Sequence, residues 1–272
     1  MIPAPFTYRR AWSVEEAVEL VAHDGEDAKF LAGGHSLLPL MKLRLAVPQT
    51  LVDIGRLTEL SYITDEGDHI AVGAATTHGE LAASSLLAEQ LPLLAHVAGQ
   101  IGDPQVRHCG TIGGSLAHAD PAADLPAVVL ALDATVVARG PAGRREIAAT
   151  DFFRGLFETA LEPAELLTEI RIAKPGAPGW AFQKFTKRAI DWAIVGVAVQ
   201  GGRVALVNMG QTPVRAVAVE AALADGASAQ QAAAHGAEGT SPPEDLTAGR
   251  AYREHLARVL VRRALVDAQG RT

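Results

Sequence analysis

The sequence predicts an α+β fold, two α/β lobes followed by a smaller domain in which a three-stranded antiparallel sheet carries helices on one face. Three observations predict it. Up to residue 173, short apolar strand-like runs alternate with stretches of helical period, several of them opened by a capping residue. The run Lys174-Pro-Gly-Ala-Pro-Gly is then the best linker in the chain. Beyond it three strand-like runs follow in succession, the last two joined by Gly201-Gly202 as in a hairpin.

The first lobe, residues 1–58, opens with a helix from Ser13. Glu16 stands at capping-box spacing, and Val14, Ala17, Val18 and Val21 form one apolar stripe. Lys29 to Ala32 is a short buried strand, Leu37 to Leu45 a short helix that Val47-Pro48 ends, and Leu51 to Gly55 the next strand. In the second lobe, residues 59–173, Ile70 to Gly73 is a strand, Thr77 to Ala83 a capped helix and Leu91 to Ile101 an amphipathic helix. The apolar run from Asp124 to Asp133 is a helix with Pro126 in its first turn, where proline is tolerated. Strands over Ala134–Ala138, Arg145–Ile147 and Leu167–Ile172 complete the lobe. In the last domain, residues 174–272, the strands are Trp180–Lys187, Ala193–Gln200 and Arg203–Met209. A helix over Ala216–Ala224, a loose Ala-, Gly- and Pro-rich stretch over 227–249 and a closing helix over Leu246–Ala268 follow.

Composition narrows the function. The chain has 272 residues, enough for a proper core, and no apolar run approaches the roughly 18 residues of a membrane span. Its first residues, Met-Ile-Pro-Ala-Pro-Phe, lack the regions of a signal peptide, so a cytoplasmic location is expected. A formal charge of −7 without a basic stripe argues against a nucleic-acid partner. A single cysteine, Cys109, cannot hold an iron–sulfur cluster, a structural zinc or an internal disulfide. The nine histidines show no ligand spacing, so no metal site is expected and any redox chemistry must come from an organic cofactor.

Two stretches carry ligand chemistry. From Gly110 to Asp124 the chain reads Gly-Thr-Ile-Gly-Gly-Ser-Leu-Ala-His-Ala-Asp-Pro-Ala-Ala-Asp. Gly113 and Gly114 remove two β-carbons between Thr111 and Ser115, and Asp120 and Asp124 follow, so a turn shaped for backbone contact with a polar ligand is expected. Ala32-Gly33-Gly34-His35-Ser36 repeats the idea after Phe30-Leu31. Two such turns could grip the ends of one extended phosphate-containing ligand. Neither the dinucleotide fingerprint Gly-x-Gly-x-x-Gly nor a P-loop occurs.

These residues resemble the flavin-binding medium subunit of aerobic carbon monoxide dehydrogenase and related molybdenum hydroxylases of the xanthine dehydrogenase family. The similarity runs from Met-Ile-Pro through Glu165-Leu-Leu-Thr-Glu-Ile-Arg-Ile to the strand before Asp191-Trp192. It implies an FAD-binding fold of the vanillyl-alcohol-oxidase (PCMH) type, with FAD between the two lobes and the C-terminal domain over the isoalloxazine side. Ala32, Gly33, Gly34, His35 and Ser36, with Thr111, Ile112, Gly113, Gly114 and Ser115, would bind the pyrophosphate through amides and hydroxyls. Asp124 would accept a hydrogen bond from the sugar-like part, Ile101 and Leu167 would line the flavin, and Lys184 would lie near it. Trp192 stands where carbon monoxide dehydrogenases carry Tyr, and Ser115 where many relatives carry Asn. Other readings of the same residues are open: Asp124 as a cap of the helix after it, Lys184 as a solvent-facing strand residue, Trp192 as core.

The implied role is electron transfer. No side chain is assigned as acid, base or nucleophile, because the flavin carries the chemistry. Partners implied are a large molybdopterin subunit and a small subunit with [2Fe-2S] clusters, in a dimer of heterotrimers that passes electrons to quinone or another acceptor. Membrane contact, at the inner face, would come only through that complex. The alternatives are the flavin subunit of an enzyme hydroxylating a purine or nicotine-like heterocycle or an aldehyde, and, further off, a stand-alone FAD oxidase or a flavin-free module.

Overall fold

A computed structural model describes residues 2–176 and 178–271. The expected linker over 174–179 therefore includes one residue, Ala177, that lies outside the described residues, as do Met1 and Thr272.

Three main sheets organise the chain. The N-terminal one is parallel, with Thr50–Asp53 between Thr7–Arg10 and Ala28–Leu31. Helix Val14–Asp24 covers it with Val14, Ala17, Val18 and Val21 buried, and Ser13 Oγ accepts from Glu16 N at 3.1 Å, as the spacing requires. The second sheet is antiparallel and five-stranded, in the order Ile63–Asp65, His69–Gly73, Leu166–Ala173, Thr135–Gly140, Gly143–Ala148. The third holds Trp180–Phe185, Val195–Gln200 and Arg203–Val207, extended by the two-residue strand Val214–Arg215. Gly201 and Gly202 both have positive φ, 54° and 89°, between the paired Gln200 and Arg203. That is the tight two-residue hairpin turn whose twist matches the strands.

One helix joins the last two sheets. Asp124–Ala131 is buried along its whole length, packed between the second lobe and the C-terminal sheet. Residues of the C-terminal sheet therefore alternate between two cores. Ala198, Ala205 and Val207 belong to the core of the second lobe, and Val197, Val199, Val204 and Leu206 to the one under helix Arg250–Gln269.

Two expectations are corrected. The stretch 227–249 is not loose throughout: Ser228 and Gln231 form a reciprocal capping box on helix Ala229–Ala233, which buries Ala229, Ala232 and Ala233. Nor is Gly113-Gly114 a turn. Thr111 is the N-cap of helix Ile112–His118, its Oγ1 accepting from Gly114 N at 3.1 Å, and the glycine pair sits in that helix's first turn. The physical reason is packing. A β-carbon at Gly113 would lie 2.6 Å from Ala74 Cβ, so glycine is there to let a helix press on the Ala74 backbone.

Candidate functional site

Strand ends and helix starts from all three sheets surround one cleft of about 690 Å³. Its size is that of a small-molecule or cofactor site. Of the residues assigned above to the ligand, all but Ile112 and Asp120 line it: Ala32, Gly33, Gly34, His35, Ser36, Ile101, Thr111, Gly113, Gly114, Ser115, Asp124, Leu167, Lys184 and Trp192. Ile112 is fully buried in the core of the second lobe and faces away from the cleft wall.

The two glycine stretches touch. A β-carbon at Gly33 would fall 1.8 Å from Cys109 O, so only glycine permits the Gly33 backbone to lie on the Cys109-Gly110 peptide. Gly34, at φ 71°, turns the chain into helix Leu37–Lys42. In the turn they form, the N–H groups of Gly33, Gly34, His35 and Ser36 have no acceptor among the described residues. Successive donors of this kind make an anion-binding concavity.

The second stretch is the reverse. Ile112 N donates to Thr76 O at 3.0 Å, Gly113 N to Ala74 O at 2.9 Å, Gly114 N to Thr111 Oγ1 and Ser115 N to Thr111 O at 3.0 Å. Its amides are thus already engaged, which corrects the expectation that they would be free for a ligand. What this wall offers is close backbone approach and the hydroxyls of Thr111 and Ser115. Asp120 is not part of the cleft: its Oδ1 accepts from Ala122 N at 2.9 Å in its own turn.

In the same cleft Lys184 Nζ meets Asp124 Oδ2 at 2.7 Å, both side chains almost fully buried. Lys184 comes from the C-terminal sheet and Asp124 from the buried helix of the second lobe, so the pair ties the two together. The solvent-facing reading of Lys184 is therefore wrong. The capping reading of Asp124 is wrong too, because Ala123 is the N-cap and no side-chain cap bond forms. Burial raises the Asp124 carboxyl above its ordinary value, against the opposing pull of Lys184. Asp124 Oδ1 is buried with no partner among the described residues. Trp192 is 60% exposed at the cleft mouth beside Ile190, so it is not core.

One lining residue escaped the sequence reading. His78, directly after the capping Thr77, is 5% exposed, and its Nδ1 is sealed without a partner. Burial first, with His35 and the Arg107 guanidinium nearby, holds its imidazole down at about 4, so the ring is neutral. Its position after a cap, in the turn leading out of a strand, was the only signal available.

These residues fit FAD. Four unclaimed amides supply the donors that a pyrophosphate requires, an unpartnered carboxylate oxygen supplies an acceptor for a hydroxyl, and Ile101, Leu167 and Trp192 offer apolar surface for a ring. Comparison with known proteins points the same way. Residues 4–175 match the FAD-binding domain of molybdopterin dehydrogenases, and residues 180–268 the carbon monoxide dehydrogenase flavoprotein C-terminal domain. The carbon monoxide dehydrogenase medium chain of Hydrogenophaga pseudoflava is 42% identical over 285 residues, covering 100% of this chain and 99% of that protein. The alpha subunit of the 6-hydroxypseudooxynicotine dehydrogenase complex of Paenarthrobacter nicotinovorans is 40% identical, covering 100% and 97%. The structure of Hydrogenophaga pseudoflava carbon monoxide dehydrogenase lacking the Mo-pyranopterin moiety superposes with a TM-score of 0.94 at 43% identity over 99% of each chain.

Proposed function

The chain belongs to the FAD-binding medium subunits of the molybdenum dehydrogenases, the family of the carbon monoxide dehydrogenase medium chain, and on that premise we propose that it is the electron-transfer subunit of a three-subunit molybdenum hydroxylase. It is an oxidoreductase subunit with the PCMH-type FAD-binding fold and the C-terminal domain of that family. Substrate is oxidised in a large molybdopterin subunit, electrons pass through the [2Fe-2S] clusters of a small subunit, and this chain hands them to quinone or another external acceptor. The complex is a dimer of heterotrimers in the cytoplasm, and any contact with the inner face of the membrane comes through that complex and not through this chain alone. Among the described residues no helix is long and apolar enough to cross a membrane.

When bound, FAD supplies the redox chemistry, and the protein supplies position and polarity. The N–H groups of Gly33–Ser36 hold the pyrophosphate, while Thr111 and Ser115 offer hydroxyls from the facing wall. Asp124 accepts a ligand hydroxyl at Oδ1. Lys184 is less of a free cation than its sequence suggested: its charge is largely offset by Asp124 at 2.7 Å. Ile101, Leu167 and Trp192 shield the ring from water.

The observation that carries this reading is the convergence, on one cleft, of both glycine stretches with Asp124, Lys184 and Trp192. Carbon monoxide is favoured as substrate by identity along the whole chain to the carbon monoxide dehydrogenase medium chain. A nicotine-like heterocycle is the second reading, supported by the 40% identity to the 6-hydroxypseudooxynicotine dehydrogenase subunit. The test is the absorption spectrum of the complex purified through a tag on this chain, with co-purifying subunits identified and metals counted. Flavin bands, iron–sulfur absorption, molybdenum and two partner chains support the proposal. A colourless single chain that takes up no added FAD overturns it.

A further inference from the structure

We propose that His78 is a cofactor ligand, donating a hydrogen bond from Nε2–H of an uncharged imidazole to the pyrophosphate. This rests on the flavin reading above and adds a residue to it. Three observations locate the ring. His78 lines the cleft yet is 5% exposed, and its side chain makes no hydrogen bond with any described residue. Its Nε2–Cδ2 edge lies against Gly110, where a β-carbon would come within 2.9 Å of both atoms, and its own backbone N donates to Gly110 O at 2.9 Å. Gly33 in turn lies on the Cys109-Gly110 peptide. The ring therefore sits at the junction of the two glycine stretches, beside the turn that carries the unclaimed amides.

The tautomer follows from burial. Nδ1 is sealed with no acceptor, and burying an N–H donor unpaired costs more than burying a lone pair, so the proton resides on Nε2. A second proton would have to enter at Nδ1 and would be repelled by Arg107 and by His35, the cationic and titratable groups that act on it; Lys29 and Asp124 line the same cleft. An uncharged donor suits this place. It orients a phosphate oxygen without the cost of a buried, unpaired cation in the flavin-free protein.

The full chain is titrated with FAD and, separately, with ADP, following flavin fluorescence and competition. His78→Phe fills the volume without a donor, His78→Asn places its amide nitrogen near the Nδ1 position, and His78→Gln places it near that of Nε2. A hydrogen bond to a charged group predicts about 10–100-fold weaker binding of both ligands by the Phe and Asn variants, and wild-type-like binding by the Gln variant. Nitrogen NMR of the imidazole in the flavin-free chain is expected to show the Nε2–H form.

Equal FAD affinity in His78→Phe overturns the proposal, as does an Nδ1–H tautomer. A loss seen with FAD but not ADP overturns the assignment to the pyrophosphate. Wild-type protein that binds neither ligand removes the flavin reading and this inference with it. Wild-type binding matched by all three variants removes the inference alone.

Discussion

The two glycine stretches read alike in the sequence and behave oppositely in the structure. Gly33–Ser36 is a turn whose four N–H groups have no acceptor among the described residues. Thr111–Asp124 begins as a capped helix whose first amides are all engaged, and it ends in a carboxylate paired with Lys184. Donors left open contribute affinity when a ligand arrives, whereas groups already satisfied contribute shape and stability. The first stretch is therefore the gripping wall of the cleft and the second its rigid one.

The largest effect belongs to the rigid wall. Lys184→Met leaves Asp124 buried beside nothing positive, and breaking a buried pair in this way costs about 3–5 kcal/mol. Asp124→Asn should cost a similar amount, and the double variant less than the sum of the two, because neither charge is then stranded. Urea unfolding of the four flavin-free proteins measures this, and strict additivity would show that the pair does not hold the domains together.

Next comes the acid sensitivity that His78 gives to the gripping wall. In the unfolded chain an imidazole takes up a proton near its ordinary 6.5, while in the fold it does so only at about 4. The unfolded state thus binds more protons between those values. Stability contributed by the neutral ring is complete above pH 6.5 and is lost as pH falls toward 4, by about 3 kcal/mol. His78→Gln removes that share, so melting curves at pH 7 and 4.5 should diverge less for the variant than for wild type. Parallel loss in both would assign the acid sensitivity to other groups.

Much of this contrast was hidden from the sequence for identifiable reasons. Gly33-Gly34 was legible as a turn because a turn is what it is, with Gly34 at positive φ. Gly113-Gly114 was misread because Ile-Gly-Gly-Ser is a poor helix former, and the helix there depends on contact with Ala74, some 40 residues earlier. Strand Thr7–Arg10 was missed because Thr-Tyr-Arg-Arg shows no alternation and lies at a sheet edge. The Asp124–Lys184 pair spans 60 residues and two domains, so only topology could reveal it. By contrast the Ser13 cap and the Gly201-Gly202 hairpin were readable locally, where turn chemistry decides the structure, while Ile101, Leu167, Lys184 and Trp192 were indicated only by the family resemblance.

A smaller effect on stability and a sharp one on binding are expected from Gly33→Ala. The new methyl group would fall 1.8 Å from Cys109 O, a backbone atom that cannot rotate away, so the two stretches must separate. Overpacking of this kind costs about 1–3 kcal/mol. Because the displaced segment carries the unclaimed amides, FAD affinity should fall by much more than the unfolding free energy suggests. Proportionate losses would mean that the turn is scaffold and not the gripping wall.

Thr111→Val gives the smallest effect and the most direct test of the contrast. Valine keeps the shape of Thr111 but removes the oxygen that accepts from Gly114 N, a helix cap worth about 1 kcal/mol. That amide is then unengaged at the cleft wall, since Gly114 is exposed and lines the cleft. A rigid wall would become partly a gripping one. Bound FAD gains a donor at Gly114 N as it loses the Thr111 hydroxyl, so the variant's melting temperature should drop by about as much with FAD as without it. If the deficit is instead larger with FAD than without it, the Thr111 hydroxyl contributes more to the ligand than the freed amide replaces, and the second stretch grips as the first one does.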